Sequence, residues 1–189
     1  FEGEICMRSS ANTYNQSLLA SIISHEGVEK AEAWTKAVVN NFARPPQGND
    51  ISLLKAVAAG ECRLTLANTY YIARLGASSD PADRAVYDKL GIIFPNQDTT
   101  GTHVNISGVG LAKYAPHREN GLKLIEFLSR DDIQTAFSAG NNEYPAVTGV
   151  EAASQVLALG SFRPDDLDVT RLGQNQAEAV KVFDRAGWR

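Results

Sequence analysis

The tetrapeptide Ala-Asn-Thr-Tyr occurs twice, at residues 11–14 and 67–70, and each copy follows a short apolar run that carries a cysteine. Cys6 to Cys62 and Tyr14 to Tyr70 are both steps of 56 residues. Each run therefore reaches the same polar turn after the same length of chain, as two parallel strands lying side by side would do. Nothing else in the two segments repeats, so the match reads as parallel geometry and not as an internal repeat.

The chain between and beyond these turns supplies helices. Residues 14–24 carry Leu18, Leu19, Ile22 and Ile23 on one stripe, and Gly27 stops it. Residues 28–42 place Trp34, Val38 and Phe42 at successive four-residue steps before Arg44-Pro45-Pro46-Gln47-Gly48-Asn49. Asp50 is expected to cap a third helix with Ile51, Leu54 and Val57 inward, ending at Gly60. A strand over 62–67, a helix from Thr69 and a helix opened by Asp80-Pro81 follow. Residues 91–94 and 102–107 read as further strands. Helices are then expected over 117–128, 130–139 and 174–186, the last with Ala177, Val180 and Phe183 at helical spacing. Strands separated by helices predict an α/β fold, a doubly wound, mostly parallel sheet with flanking helices.

Composition narrows the function classes. The 189 residues are enough to bury roughly 70% of the surface an unfolded chain of this size exposes. With 18 Lys and Arg against 22 Asp and Glu, the net charge of −4 gives no bulk positive field for a nucleic-acid backbone or an anionic membrane. No Gly-x-x-x-x-Gly-Lys-Ser/Thr, Gly-x-Gly-x-x-Gly or Gly-x-Ser-x-Gly occurs, so nucleotide binding and serine hydrolysis lack support. Cys6 and Cys62 show no zinc spacing and are either buried thiols or one disulfide. On neighbouring strands about 4.8 Å apart, a bridge is sterically reasonable. Phe1-Glu2-Gly3 carries no initiator Met or signal-like segment, which suggests a processed or truncated chain.

In open α/β sheets ligands bind outside the carboxyl ends of the strands, where both turns, and hence Tyr14, Tyr70 and Tyr71, are expected to emerge. A phenol has a pKa of about 10 and becomes a good ligand only when a strong, hard Lewis acid displaces its proton. Three phenolates would neutralise a trivalent ion, and the all-oxygen set lacks the thiolates and imidazoles that suit zinc or copper. Ferric iron fits. Asn68 is placed to cap the helix that begins near Thr69, and Arg74 stands four residues after Tyr70, where its charge would favour a phenolate. Tyr70 and Tyr71 diverge by about 100° in a regular helix, so they can converge only in an irregular first turn. The alternative reading packs Tyr71 in the core and leaves Tyr70 on the surface.

Arg8-Ser9-Ser10, residues 14–20 (Tyr-Asn-Gln-Ser-Leu-Leu-Ala), Asn41-Phe42-Ala43-Arg44, Pro46-Gln47-Gly48-Asn49-Asp50 and Ala67-Asn68-Thr69-Tyr70-Tyr71 resemble the periplasmic ferric-iron-binding proteins of bacterial ABC importers. They look closest to the tyrosine-rich subgroup that needs no synergistic anion. Residues 101–108 and Asn142-Glu143-Tyr144-Pro145 match later family segments, so the resemblance covers essentially the whole chain. It implies a type II periplasmic binding protein-like lobe in a non-enzymatic, two-lobed protein that closes over Fe³⁺ and delivers it to an ABC transporter permease. By position it implies Tyr14, Tyr70 and Tyr71 as ligands, supported by Asn68, Arg8 and Arg74. It also implies that residues 1–99 and 151–189 form the second lobe, with 100–150 as a crossover and remnant of the first. The remainder of the first lobe would come from a missing N-terminal portion or a partner chain.

Two other readings stand beside this one. The same fold could hold an oxyanion or a small organic anion at helix N-termini after Arg8-Ser9-Ser10 and Asn68. A tyrosine-based enzyme could work in the same cleft, although no tyrosine has a Lys four residues later to depress its pKa. Tyr87, Tyr114 and Tyr144 are expected to pack. His25 and His117 are read as structural, and His103 is the one histidine in the expected crossover. Asp131-Asp132 and Asp165-Asp166 are read as charges that complement helix dipoles or lie in loops.

Overall fold

The computed structural model describes residues 1–189. In chain order its elements are β1 (Ile5–Cys6), α1 (Thr13–Glu26), α2 (Val28–Asn40), α3 (Asp50–Ala59), β2 (Leu64–Thr65), α4 (Thr69–Gly76), α5 (Pro81–Tyr87), α6 (Arg118–Leu128), α7 (Asp131–Asn141), α8 (Ser154–Leu157) and α9 (Thr170–Ala186). No helix is long and apolar enough to cross a membrane.

The local signals act where the sequence puts them. The Asn12 side chain accepts from the Tyr14 and Asn15 backbone N–H groups and starts α1, and Gly27 ends it by returning its N–H to the Ile23 carbonyl. At α3 the cap is Asn49 and not Asp50: Asn49 and Ser52 exchange side-chain and backbone hydrogen bonds in a capping box, and Asp50 is the first helical residue, buried. Asn49 wins because its Oδ1 reaches the Ser52 N–H at 3.0 Å while the Asp50 carboxylate turns inward to other partners.

β1 and β2 pair in parallel, with Ile5 opposite Leu64 and Cys6 opposite Thr65. The pairing register is therefore three residues away from the 56-residue sequence repeat, and Cys62 precedes β2 instead of opening it. Phe42 bridges Ile5 on the other side of β1, through Ile5 N–H to the Asn41 carbonyl and Ala43 N–H to the Ile5 carbonyl. The sheet is parallel as expected but small. The strands expected over 91–94 and 102–107 do not form; only Thr102 pairs, with Pro164. A strand persists through hydrogen bonds to a neighbour, and Ile93 and Ile106 stand 79% and 65% exposed with no such neighbour.

The chain divides into two units. The first comprises Phe1–Asn68, Ala85–Asn105 and Phe162–Arg189. Its core gathers Ile5 and Met7 from the strand side, Leu19 and Ile23 of α1, Ala31 of α2, Val182 and Phe183 of α9, and Trp188. Trp188 is 1% exposed, meets Phe42 and Phe183 edge-on at centroid distances of 5.1 and 5.0 Å, and donates from Nε1 to the Arg8 carbonyl at 2.9 Å. The apolar stripe of α9 is rotated from the expected one. Ala179, Val182 and Phe183 are buried, whereas Ala177 and Val180 face outward, because α9 packs on both α1 and α2. A satellite cluster of Cys6, Leu53, Ala56 and Cys62 encloses the Cys6–Cys62 disulfide, whose Cα atoms lie 5.9 Å apart.

The second unit comprises Thr69–Arg84 and Ile106–Ser161. Here α4 packs on α8, burying Ile72, Ala73 and Leu75 with Val156 and Leu159. Ser138 on α7, itself buried, accepts from the Ala153 N–H at 2.8 Å, and the Gln155 amide donates to the Ala139 carbonyl and the Asn142 side chain. The short helix α8, which carries no periodic signal of its own, is held by these bonds. No residue of α6 is fully buried.

Candidate metal centre

The first Ala-Asn-Thr-Tyr turn belongs to the first unit. Tyr14 is the second residue of α1 and is half-buried. The Arg8 guanidinium lies 5.7 Å from the centroid of its ring. Arg8 is in turn ion-paired with Asp50, which is 2% exposed. The backbone at this point is anchored as well: the Asn15 amide donates to the Arg8 and Ser9 carbonyls at 3.1 and 3.0 Å, beside the Trp188 bond. Burial of Asn15 and Trp188 fixes where Arg8 sits, and Arg8 sits against Tyr14.

The second turn ends the first unit's opening segment at Asn68. The Asn68 N–H donates to Asp50 Oδ1 at 3.4 Å, and its side-chain oxygen accepts from Asn105 Nδ2 at 2.9 Å. Beyond it, in the second unit, Tyr70 and Tyr71 are the second and third residues of α4. Their rings lie side by side, with centroids 4.3 Å apart and planes tilted by 43°. Both are half-buried, whereas Ile72, Ala73 and Leu75 of the same helix supply the core. The reading that sinks Tyr71 into the core is thus not what the structure shows. Arg74 is expected beside Tyr70, yet its guanidinium lies 5.8 Å from the Tyr71 ring centroid, the i,i+3 neighbour on the helix surface.

The site residues are therefore found as follows. Arg8 and Tyr14 are in contact, as are Tyr70 with Tyr71 and Tyr71 with Arg74, while Asn68 joins Asp50 and Asn105. Cys6 and Cys62 are bonded. Of the remaining tyrosines, Tyr114 does not pack: it is 85% exposed with Lys113 over its ring. Burial raises the Tyr144 phenol above its ordinary value, which makes it a poor source of phenolate. No group of three or more His, Cys, Asp or Glu side chains that could hold a metal occurs.

Two histidine contacts escaped sequence reasoning. The Ser17 hydroxyl lies 3.0 Å from His103 Nε2, and His25 Nε2 lies 2.8 Å from the buried carboxylate of Asp165. Asp165 is thus no solvated dipole partner; its other oxygen accepts from the Leu167 N–H at 3.0 Å. Burial holds the His103 imidazole below its usual pKa, against the opposing pull of Asp165 and of a hydrogen bond to Asn105. These partners lie 86 and 140 residues apart, beyond the reach of any local pattern.

The fold is type II periplasmic binding protein-like, as in the solved structures it superposes on. The chain belongs to the family of bacterial extracellular solute-binding proteins, which its residues 1–164 match. Among relatives, it is 47% identical over all 189 residues to iron uptake protein A1 of a Synechocystis strain, covering 52% of that protein. Among solved structures, it superposes with a TM-score of 0.96 on Trichodesmium IdiA (FutA) in complex with iron and citrate ligands, at 53% identity over the whole chain and 60% of that one. It also superposes on the ferric binding protein from Campylobacter jejuni with a TM-score of 0.94 at 42% identity, again over the whole chain and 60% of the other. The chain spans about half the length of the relatives it matches.

Proposed function

We propose that this chain takes part in bacterial iron uptake, holding ferric iron through the phenolates of Tyr14, Tyr70 and Tyr71 and passing it to an ABC transporter permease, with no chemical step of its own. The place of action on this reading is the periplasm. The observation that carries it is the parallel pairing of β1 with β2, closed by the Cys6–Cys62 bridge, from whose ends the two tyrosine turns lead. Relatives named for iron uptake and structures named for ferric binding support the choice of solute.

The chemistry is that of hard acid and hard base. Fe³⁺ displaces phenolic protons and gains three anionic oxygens, and the Arg8 and Arg74 guanidinium groups lie over the Tyr14 and Tyr71 rings. Asn68, at the entry to α4, is held by Asp50 and Asn105.

Addition of Fe³⁺ to the full-length protein is expected to produce a visible phenolate-to-iron charge-transfer band. The band fades on acidification, because protons compete for the ligands. Tyr70→Phe weakens it. A protein that stays colourless under ferric loading would refute the reading.

A further inference from the structure

Asp50 lies between the two tyrosine turns in sequence and touches both in space. Because Asn49 and Ser52 complete the cap of α3, the Asp50 carboxylate is left to face inward. One oxygen, Oδ2, accepts from the Arg8 guanidinium, and the other, Oδ1, accepts from the Asn68 N–H. A carboxylate at 2% exposure persists only where such partners offset its lost hydration, and the partners here are the two turns themselves. Arg8 lies over the Tyr14 ring, and Asn68 precedes Tyr70 by two residues. Asn105 holds Asn68 from its side chain, so the backbone N–H that Asp50 receives is not free to turn away.

We propose that Asp50 is a positioning residue of the tyrosine site, its two carboxylate oxygens holding Arg8, which lies over the Tyr14 ring, and the backbone N–H of Asn68, two residues before Tyr70. This inference rests on the ferric-iron reading above. Metal constellations tolerate displacements of only about 0.5 Å, so a carboxylate that holds Arg8 over the Tyr14 ring bears on where that phenol stands. Asp50 touches no metal in this scheme; it acts through Arg8 and Asn68.

Asp50→Asn in the full-length protein tests it. Asparagine keeps the shape but carries a single acceptor oxygen, and so cannot serve both donors. At saturating Fe³⁺ the band maximum of D50N is expected to move, and its ferric affinity in citrate competition to fall about 10-fold or more. Glu61→Gln, which removes the exposed Arg44–Glu61 pair just beyond α3, is expected to leave both unchanged. Should D50N alone not fold, Arg8→Gln/Asp50→Asn removes both charges together, and the same two shifts are expected in it. Folded variants with the wild-type band and affinity would overturn the Asp50 role while leaving the iron site intact. A wild-type protein without a band would remove the ferric reading, and the role of Asp50 with it.

Discussion

At the scale of single residues, the two tyrosine turns were legible because their types and spacing repeat, whereas the groups that fasten them were not. Asp50 read as a helix cap and Asp165 as a loop charge, yet both are buried acceptors whose side-chain partners, Arg8 and His25, lie 42 and 140 residues away. His103 carries the clearest pH consequence. Burial lowers its proton affinity in the folded state, so above about pH 6.5 neither state is protonated and no stability is lost. As pH falls through that value the unfolded chain takes a proton that the folded chain refuses, and stability declines until the lowered folded value is reached. His103→Gln should flatten this decline, read as urea midpoints between about pH 7.5 and 5. Parallel pH profiles for the two proteins would show that His103 does not contribute.

At the scale of elements, helix existence, the short α8 excepted, followed from caps, glycine stops and apolar periodicity, while strand existence did not. Residues 91–94 and 102–107 have strand-like composition, but a ladder needs a partner, and in this chain the only one is Pro164 opposite Thr102. That single bridge is exacting. The Thr102 N–H reaches the Arg163 carbonyl at 2.9 Å and the Asp165 N–H reaches the Thr102 carbonyl at 2.8 Å. Gly101, at φ +90°, makes the close approach possible, since a Cβ there would stand 2.5 Å from the Pro164 carbonyl oxygen. Gly101→Ala combines a backbone conformation costing about 2 kcal/mol with this clash. A lower urea midpoint checks it, and an unchanged midpoint would mean that the pairing yields without cost. The rotated stripe of α9 teaches the same lesson from packing: Val180 fits the helical period, yet contact with both α1 and α2 selects Ala179, Val182 and Phe183.

At the scale of the whole molecule, the Cys6–Cys62 bridge closes a 56-residue step that contains α1, α2 and α3. Removing it by Cys6→Ala/Cys62→Ala should lower stability by about 4 kcal/mol through the entropy returned to the unfolded chain. Denaturant unfolding of the oxidised protein and the double variant measures this. An equal midpoint would show that β1 and β2 hold their register without the bridge. The two-unit division of the chain, with its returns at residues 69, 85, 106 and 162, had no counterpart in any local pattern, because a unit boundary is defined by which contacts are missing.

By itself the sequence determined the helices other than α8, the parallel relation of the two cysteine-bearing runs and the presence of paired tyrosines at the start of α4, since each of these depends on residues a few positions apart or on one long repeat. Only the tertiary structure decided the three-residue offset between repeat and strand register, the pairing of Arg74 with Tyr71, and the convergence of Arg8 and Asn68 on Asp50. The physical reason is that desolvation selects partners after the chain has collapsed, and a buried carboxylate is satisfied by whichever donors packing brings to it, whatever their distance in sequence.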